Sequence, residues 1–198
     1  MPWSMIEDIF DQLVGFRGTL RPYSMNEPFM DKRMMDIVKL AKERVPKARI
    51  VFNTNGDLLT LDMLQELLDM GVKVRVSAYD KKTVEKFSEQ GVTVTDLVLP
   101  KEKIREMYHN RSGNVEAMNE QPIEGMCSMP FIQMIVRYNG DVVLCCNDYR
   151  SDVVMGSVKD DRLLDIWNNE KFAEYRHELG MCRRSCLELC SECSFAGI

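Results

Sequence analysis

Ala48-Arg49-Ile50-Val51-Phe52-Asn53-Thr54-Asn55-Gly56 decides the fold class. Ile50, Val51 and Phe52 form a short apolar run with strand character, and the Asn-Thr-Asn-Gly that follows breaks it. Residues 61–70 then carry Leu61, Leu64, Leu67 and Leu68 at helical spacing. A second strand is expected over 72–77, a short helix over 81–89, and a further strand over 92–99, ended by Pro100. In the other direction, 30–44 reads as a helix with Met34, Ile37, Val38 and Ala41 on one face, stopped before Pro46. A short strand over 19–23 precedes it. Before that, a helix over 5–16 places Ile6, Ile9, Phe10, Leu13 and Val14 on one face, with Ser4 as N-cap and Glu7 completing a capping box. Alternating strand and helix with short connections builds a parallel sheet with helices packed on it. The polar loops follow the strands' C-terminal ends, the edge where such folds bind ligands.

The 198 residues, 45% of them hydrophobic, are enough for one large domain or two small ones. A net charge of −5 gives no basic stripe, so no nucleic-acid partner is expected. No apolar run is long enough to cross a bilayer, and Met1 to Asp8 lack the basic start and apolar stretch of a secretory signal. The expectation is therefore a cytoplasmic protein with no membrane partner. Seven cysteines in such a chain point to metal or redox chemistry rather than to disulfides. None lies before residue 127; they are Cys127, Cys145, Cys146, Cys182, Cys186, Cys190 and Cys193.

One more helix is expected over 101–108, then a polar linker over 109–126. After it the pattern changes. Residues 130–138 and 141–146 are β-rich runs joined by Asn139-Gly140, a strong hairpin signal. A two-residue turn there would set Tyr138 opposite Asp141 and Met134 opposite Cys145. A short strand follows over 154–158, then one amphipathic helix over 163–179, with Asp160 or Asp161 as its cap.

Cys145 and Cys146, adjacent on a strand, would point to opposite faces, so one of the two reads as a small buried hydrophobe. Cys190 and Cys193 form a Cys-x2-Cys pair that can reach one metal or cluster, and Cys127 and Cys145 would complete four thiolates. Four thiolates suit a zinc ion or a four-iron cluster, and the spacing does not separate them. Cys186, Cys190 and Cys193 also make Cys-x3-Cys-x2-Cys, three thiolates that can hold a four-iron cluster with one iron open, though in a helix they would simply be one face. Arg183 and Arg184 would lower nearby thiol pKa values and offset the negative charge of a cluster. His109 and His177 are not spaced with the cysteines and read as surface residues. Asp148, beside the hairpin cysteines, reads as a solvated loop carboxylate, with acid–base chemistry as the alternative.

These residues resemble a known family. Cys127-Ser128-Met129-Pro130-Phe131, the run from Tyr138 to Asp148, Met155-Gly156-Ser157-Val158, Leu164 to Asn168, and Cys190-x2-Cys193 are similar to the C-terminal SPASM or twitch auxiliary domain of radical S-adenosylmethionine enzymes. The resemblance implies an auxiliary 4Fe-4S cluster on Cys127, Cys145, Cys190 and Cys193. Cys182 and Cys186 are then extras, as alternative ligands or as part of a second-cluster arrangement. In the first half, Asn26-Glu27-Pro28 resembles the loop that meets the methionyl amino group. Thr54-Asn55-Gly56 and Ser77 resemble the family's next strand-end contacts to S-adenosylmethionine. The family's Cys-x3-Cys-x2-Cys after its first strand, which holds the catalytic cluster, has no counterpart in residues 1–126.

The expected architecture is α/β: an incomplete parallel βα barrel over 1–108, a linker over 109–126, and a small hairpin-plus-helix SPASM/twitch-like domain over 127–198. The expected function is that of an iron–sulfur protein resembling a truncated radical S-adenosylmethionine/SPASM enzyme that modifies a peptide or small metabolite. It would be an oxidoreductase or maturase when the catalytic-cluster segment is supplied. The alternative is a non-catalytic accessory module with a structural metal site. The exposed sheet edge is where a homodimer or partner subunit would pair.

Overall fold

A computed structural model describes residues 1–98, 103, 109–115 and 121–196. The chain forms two compact units: Trp3–Ile104, and Arg105–Ile198 together with Met1–Pro2.

The N-terminal unit begins with α1 (Trp3–Gln12), which buries Ile6, Ile9 and Phe10. It starts one residue ahead of Ser4, so Ser4 lies inside the helix and is not its cap. β1 (Thr19–Leu20) stops well short of residue 23, because Pro22 has no N–H to give to a ladder. Tyr23 instead turns inward and stacks on Phe52, with ring centroids 5.5 Å apart. A 3₁₀ turn (Pro28–Met30) leads to α2 (Met34–Arg44), whose buried face is Met34, Ile37, Val38 and Ala41. Then follow β2 (Arg49–Thr54), α3 (Leu61–Asp69), β3 (Lys73–Ala78), α4 (Lys81–Phe87) and β4 (Thr93–Asp96).

The caps of α3 and α4 are ordinary side-chain acceptors: Thr60 Oγ1 takes the Met63 N–H at 3.1 Å, and Asp80 Oδ1 takes the Thr83 N–H at 2.9 Å. The four strands are parallel and lie in the order β1-β2-β3-β4. Phe52, Val76, Ala78, Leu67 and Phe87 are fully buried at its core. This is the expected α/β class. The helix expected over 101–108 falls, but for Lys103, outside the described residues, as do Leu99 and Pro100.

The C-terminal unit contains α5 (Met129–Ile132), β5 (Ile135–Val136), β6 (Asp141–Val143), β7 (Val154–Ser157), α6 (Leu163–Trp167) and α7 (Glu170–Gly180). A 3₁₀ turn (Arg184–Cys186) follows. The strands form an antiparallel sheet in the order β5-β6-β7. Four expectations need correction here. The β-rich run at 130–138 begins as helix, with Pro130 near its start, where a missing N–H costs nothing. The hairpin pairs Ile135 with Val143 and Val136 with Val142, one residue off the expected register. The loop is three residues, Tyr138-Asn139-Gly140: Gly140 takes φ 94°, and Arg137 N donates to Asp141 O at 2.7 Å. The expected helix over 163–179 is two helices. Asn169 ends the first and caps the second, its Oδ1 accepting from Phe172 N at 2.8 Å, so neither Asp160 nor Asp161 is a cap.

The fourth concerns the linker. Where the 109–126 stretch is described, it packs on the C-terminal unit. Asn110 is buried and exchanges hydrogen bonds with Ser194, and Ile123 N donates to Cys193 O at 3.0 Å. The side chains of Asn110 and Asn114 serve backbone groups. Residues 116–120 lie outside the described residues. Among the described residues no helix is long and apolar enough to cross a membrane.

Gly56 generates a test of the N-terminal unit. It sits just after β2 at φ +86°, and a Cβ there would lie 2.9 Å from both Phe87 Cε2 and Thr83 Cγ2. Gly56→Ala adds left-handed strain to overpacking, together about 2–4 kcal/mol. A urea titration followed by far-UV circular dichroism should show that loss, and an unchanged midpoint would contradict the packing.

Candidate metal centre and strand-end site

The C-terminal unit gathers most of its cysteines around one apolar core. Cys145 is part of that core with Val142, Leu144, Met155, Ile166 and Phe172, and Cys127, Cys146 and Cys190 pack against it. Cys193 is buried as well. Burial pushes the Cys190 thiol up to about 12, with its neighbours Cys193 and Cys127 adding to the rise and the Arg184 guanidinium opposing it. Burial also pushes the Cys145 thiol far above the ordinary range, with Cys146 and Cys190 adding. The expected set Cys127, Cys145, Cys190 and Cys193 is thus one electrostatic neighbourhood. Among the described residues, no three His, Cys, Asp or Glu side chains are already drawn together as a ligand set for a metal ion.

The donor set nonetheless has the chemistry an iron–sulfur cluster uses: several soft sulfurs, an apolar surround, and amide N–H groups aimed at sulfur. Phe195 N donates to Cys193 Sγ at 3.4 Å, and the amides of Asn147 and Asp148 hydrogen-bond the Cys145 thiol. Such bonds favour the thiolate over the thiol, opposite to the effect of burial. Cys145 and Cys146 are not on a strand, since β6 ends at Val143; they lie in the turn beyond it. Cys146 Sγ accepts from Gln133 Nε2 at 3.5 Å. Cys182 and Cys186 are exposed and stand outside this group.

Asp148 departs furthest from its sequence reading. It is fully buried, not solvated, and its two carboxylate oxygens accept the N–H groups of Asp152 (2.8 Å) and Val153 (3.0 Å). A side chain spent on two amides closes the loop between β6 and β7 and is not free for proton transfer. The two arginines, equivalent in sequence, also separate. Arg183 is half-exposed and paired with Glu178 at 2.7 Å, whereas Arg184 is 2% exposed. No sequence signal distinguishes them. Neither histidine joins the thiols: His109 packs its ring at a tilt against Phe195, and His177 is exposed.

In the N-terminal unit, Glu27 ties the 3₁₀ turn to the end of β2. Its Oε1 accepts from Thr54 Oγ1 at 2.6 Å and from Phe29 N at 3.4 Å, and its Oε2 accepts from Asn55 N at 2.8 Å. Asn26 Nδ2 donates to the Glu27 carbonyl at 3.2 Å, and Pro28 opens the turn. The Asn55 side chain is engaged with Asp57. Asn26, Glu27, Pro28, Thr54 and Asn55 therefore form one cluster. Ser77 stands on the next strand, level with Asn55, because Thr54 pairs with Val76. Tyr23, which the sequence reading missed, accepts the Asn53 N–H at 2.7 Å and steadies the same strand end. Glu27 is half-buried and doubly oriented, so it can present fixed negative charge to a cationic ligand at little reorganisation cost.

The thiol arrangement predicts an alkylation order. In metal-free protein at pH 8, iodoacetamide should label Cys182 and Cys186 first, and Cys145 and Cys190 at least about tenfold more slowly, since burial keeps those two as thiols. The Cys190 rate should climb as pH rises toward its raised pKa. Peptide mass spectrometry reads the order, and equal rates at all seven cysteines would refute the burial pattern.

Comparison with known proteins agrees with this geometry. The SPASM family, an iron–sulfur cluster-binding domain, matches residues 127–194. This match indicates iron–sulfur cluster binding and lends no support to zinc. The S-adenosyl-L-methionine-dependent 2-deoxy-scyllo-inosamine dehydrogenase of Niallia circulans is 28% identical over 200 residues, covering 96% of this chain and 79% of that protein. The crystal structure of BtrN in complex with AdoMet and 2-DOIA has a TM-score of 0.86 at 26% identity, covering 99% of this chain and 81% of that one. Native anSMEcpe with bound AdoMet, at 11% identity and a TM-score of 0.62 over 98% of this chain and 80% of that one, shares the fold alone. Residues 127–194 match the SPASM family, and the comparisons together support a radical S-adenosylmethionine/SPASM family member.

Proposed function

We propose that Cys127, Cys145, Cys190 and Cys193 hold an auxiliary 4Fe-4S cluster, and that the strand ends of the N-terminal unit hold S-adenosylmethionine. On this reading the protein serves the oxidation of a small hydroxylated molecule. The observation that carries it is the gathering of these four thiols, Cys145 and Cys193 buried and Cys127 and Cys190 partly so, in one neighbourhood within the SPASM-matching segment. When bound, the cluster supplies one-electron chemistry in a water-poor site.

The chain's own residues do the rest. Glu27 meets the ligand's ammonium group, Thr54 and the Asn55 amide keep its carboxylate oriented, and Asn26, Pro28 and Ser77 shape the rim. The substrate class follows the Niallia circulans relative, whose name makes it a dehydrogenase of 2-deoxy-scyllo-inosamine. A peptide substrate has no comparable support. The second reading, a non-catalytic accessory module, rests on a different observation. Residues 1–126 contain no cysteine, so the sheet itself offers no thiolates for a catalytic cluster.

Iron and sulfide analysis after anaerobic purification should give about four of each per chain. Cys190→Ala should abolish most of that content, and one zinc with no sulfide would overturn the cluster.

Calorimetry should find S-adenosylmethionine bound, with Glu27→Gln weakening it by about tenfold, roughly 1.4 kcal/mol. Unchanged affinity would remove Glu27 from the site. Formation of 5′-deoxyadenosine by this chain alone would refute the accessory reading, while ligand binding without it favours that reading.

A further inference from the structure

Arg184 is among the largest fully buried side chains of the chain, and it has no acidic partner among the described residues. Its guanidinium is held entirely by backbone carbonyls. Nε donates to Gly125 O at 2.8 Å, Nη1 to Phe195 O at 2.6 Å, and Nη2 to Met126 O at 2.8 Å and Ala196 O at 3.5 Å. These carbonyls flank two of the thiols: Gly125 and Met126 directly precede Cys127, and Phe195 and Ala196 follow Cys193 after one residue.

Neutral carbonyls satisfy the N–H groups, but they do not cancel a full positive charge removed from water. Through these carbonyls the cation stands beside the chain at Cys127 and Cys193, two of the proposed ligands. The other arginine of the pair cannot play this part, because Glu178 already neutralises Arg183 at the surface. Asp148, the other buried charged side chain among the described residues of this unit, is itself held by two amides.

We propose that Arg184 is the positioning residue and internal counter-cation of the thiol site. Its fork fixes the chain on both sides of the ligand set, and its charge balances the net negative charge of a thiolate-bound cluster. The proposal rests on the assignment of a cluster to Cys127, Cys145, Cys190 and Cys193. A buried positive charge favours the more negative, reduced state, so its removal makes reduction harder. The two roles separate by substitution. Lysine keeps the charge and loses the planar fork, whereas glutamine loses the charge and keeps some hydrogen bonding.

The test uses the full chain, reconstituted anaerobically with iron and sulfide, and reads the reduction potential by EPR-monitored titration and iron release to a chelator. Arg184→Gln should make the one-electron reduction equilibrium about tenfold less favourable, a potential about 59 mV more negative. It should also speed iron release about tenfold. Arg184→Lys should keep the wild-type potential and still release iron faster. Arg183→Gln should match wild type in both.

A loaded Arg184→Gln chain with wild-type potential overturns the proposal and leaves the cluster assignment standing. A wild-type chain that takes up neither iron nor sulfide overturns both. Should the glutamine variant fail to fold, Arg184→Lys decides alone: unchanged potential with faster release supports the proposal, and a tenfold shift in its equilibrium overturns it.

Discussion

Buried backbone groups must be hydrogen-bonded, and in the C-terminal unit the sheet is too small to do it. β5, β6 and β7 are two, three and four residues long. The chain between and beyond them is irregular yet buried, which leaves many N–H and C=O groups without a ladder partner. Polar side chains take that role from inside. Arg184 serves four carbonyls, Asp148 serves two amides, and Asn110 serves Glu192 O and the Ser194 N–H. Each bond is worth only about 1 kcal/mol net, but a buried group left unpaired costs about 1–3 kcal/mol. The thiol-bearing loops are therefore held by a few side chains with high individual leverage.

The N-terminal unit solves the same problem in the opposite way. Its parallel ladder satisfies the backbone over four strands, α3 and α4 pack on β3, and α2 buries a regular apolar face. Polar side chains are then released to the strand ends. Glu27 shows the result: its carboxylate is fixed by a hydroxyl and two amides, all from elements or turns whose own bonding is complete. A group oriented by a rigid scaffold needs no rearrangement when a charged ligand arrives.

These two regimes explain what was legible in sequence. Periodicity reports burial on a regular element, so the apolar face of α2 from Met34 to Ala41, the Leu64 and Leu67 pair of α3 and the run of β2 from Ile50 to Phe52 could be read directly, although Leu61, on the same pattern, is exposed. It fails where a tertiary contact overrides a local pattern. Asn139-Gly140 signals a two-residue turn, yet Gly140 takes the left-handed position of a three-residue loop and the register moves by one. The 163–179 pattern continues through Asn168 and Asn169, but the Asn169 side chain also donates to Met155 O at 2.7 Å and cuts the helix in two. Asp148 and Arg184 look like surface charges because nothing local marks a charged residue whose partners are distant backbone atoms. The thiols were legible by spacing and family pattern, and the exclusion of Cys182 and Cys186 needed the fold.

The early end of β6 bears on the chemistry. On a strand, Cys145 would spend its amides on ladder partners and present its sulfur to a flat neighbouring surface. In a turn, the following amides of Asn147 and Asp148 swing toward the Cys145 sulfur, and at the other end of the set Phe195 N does the same for Cys193. Burial alone would hold Cys145 and Cys190 as neutral thiols; the amides of Asn147 and Asp148 at the first and the Arg184 cation at the second pull toward thiolate. The irregular backbone that made this half hard to read is thus what lets buried cysteines carry charge. The same irregularity is what forces Arg184 and Asp148 into the interior to hold it in place.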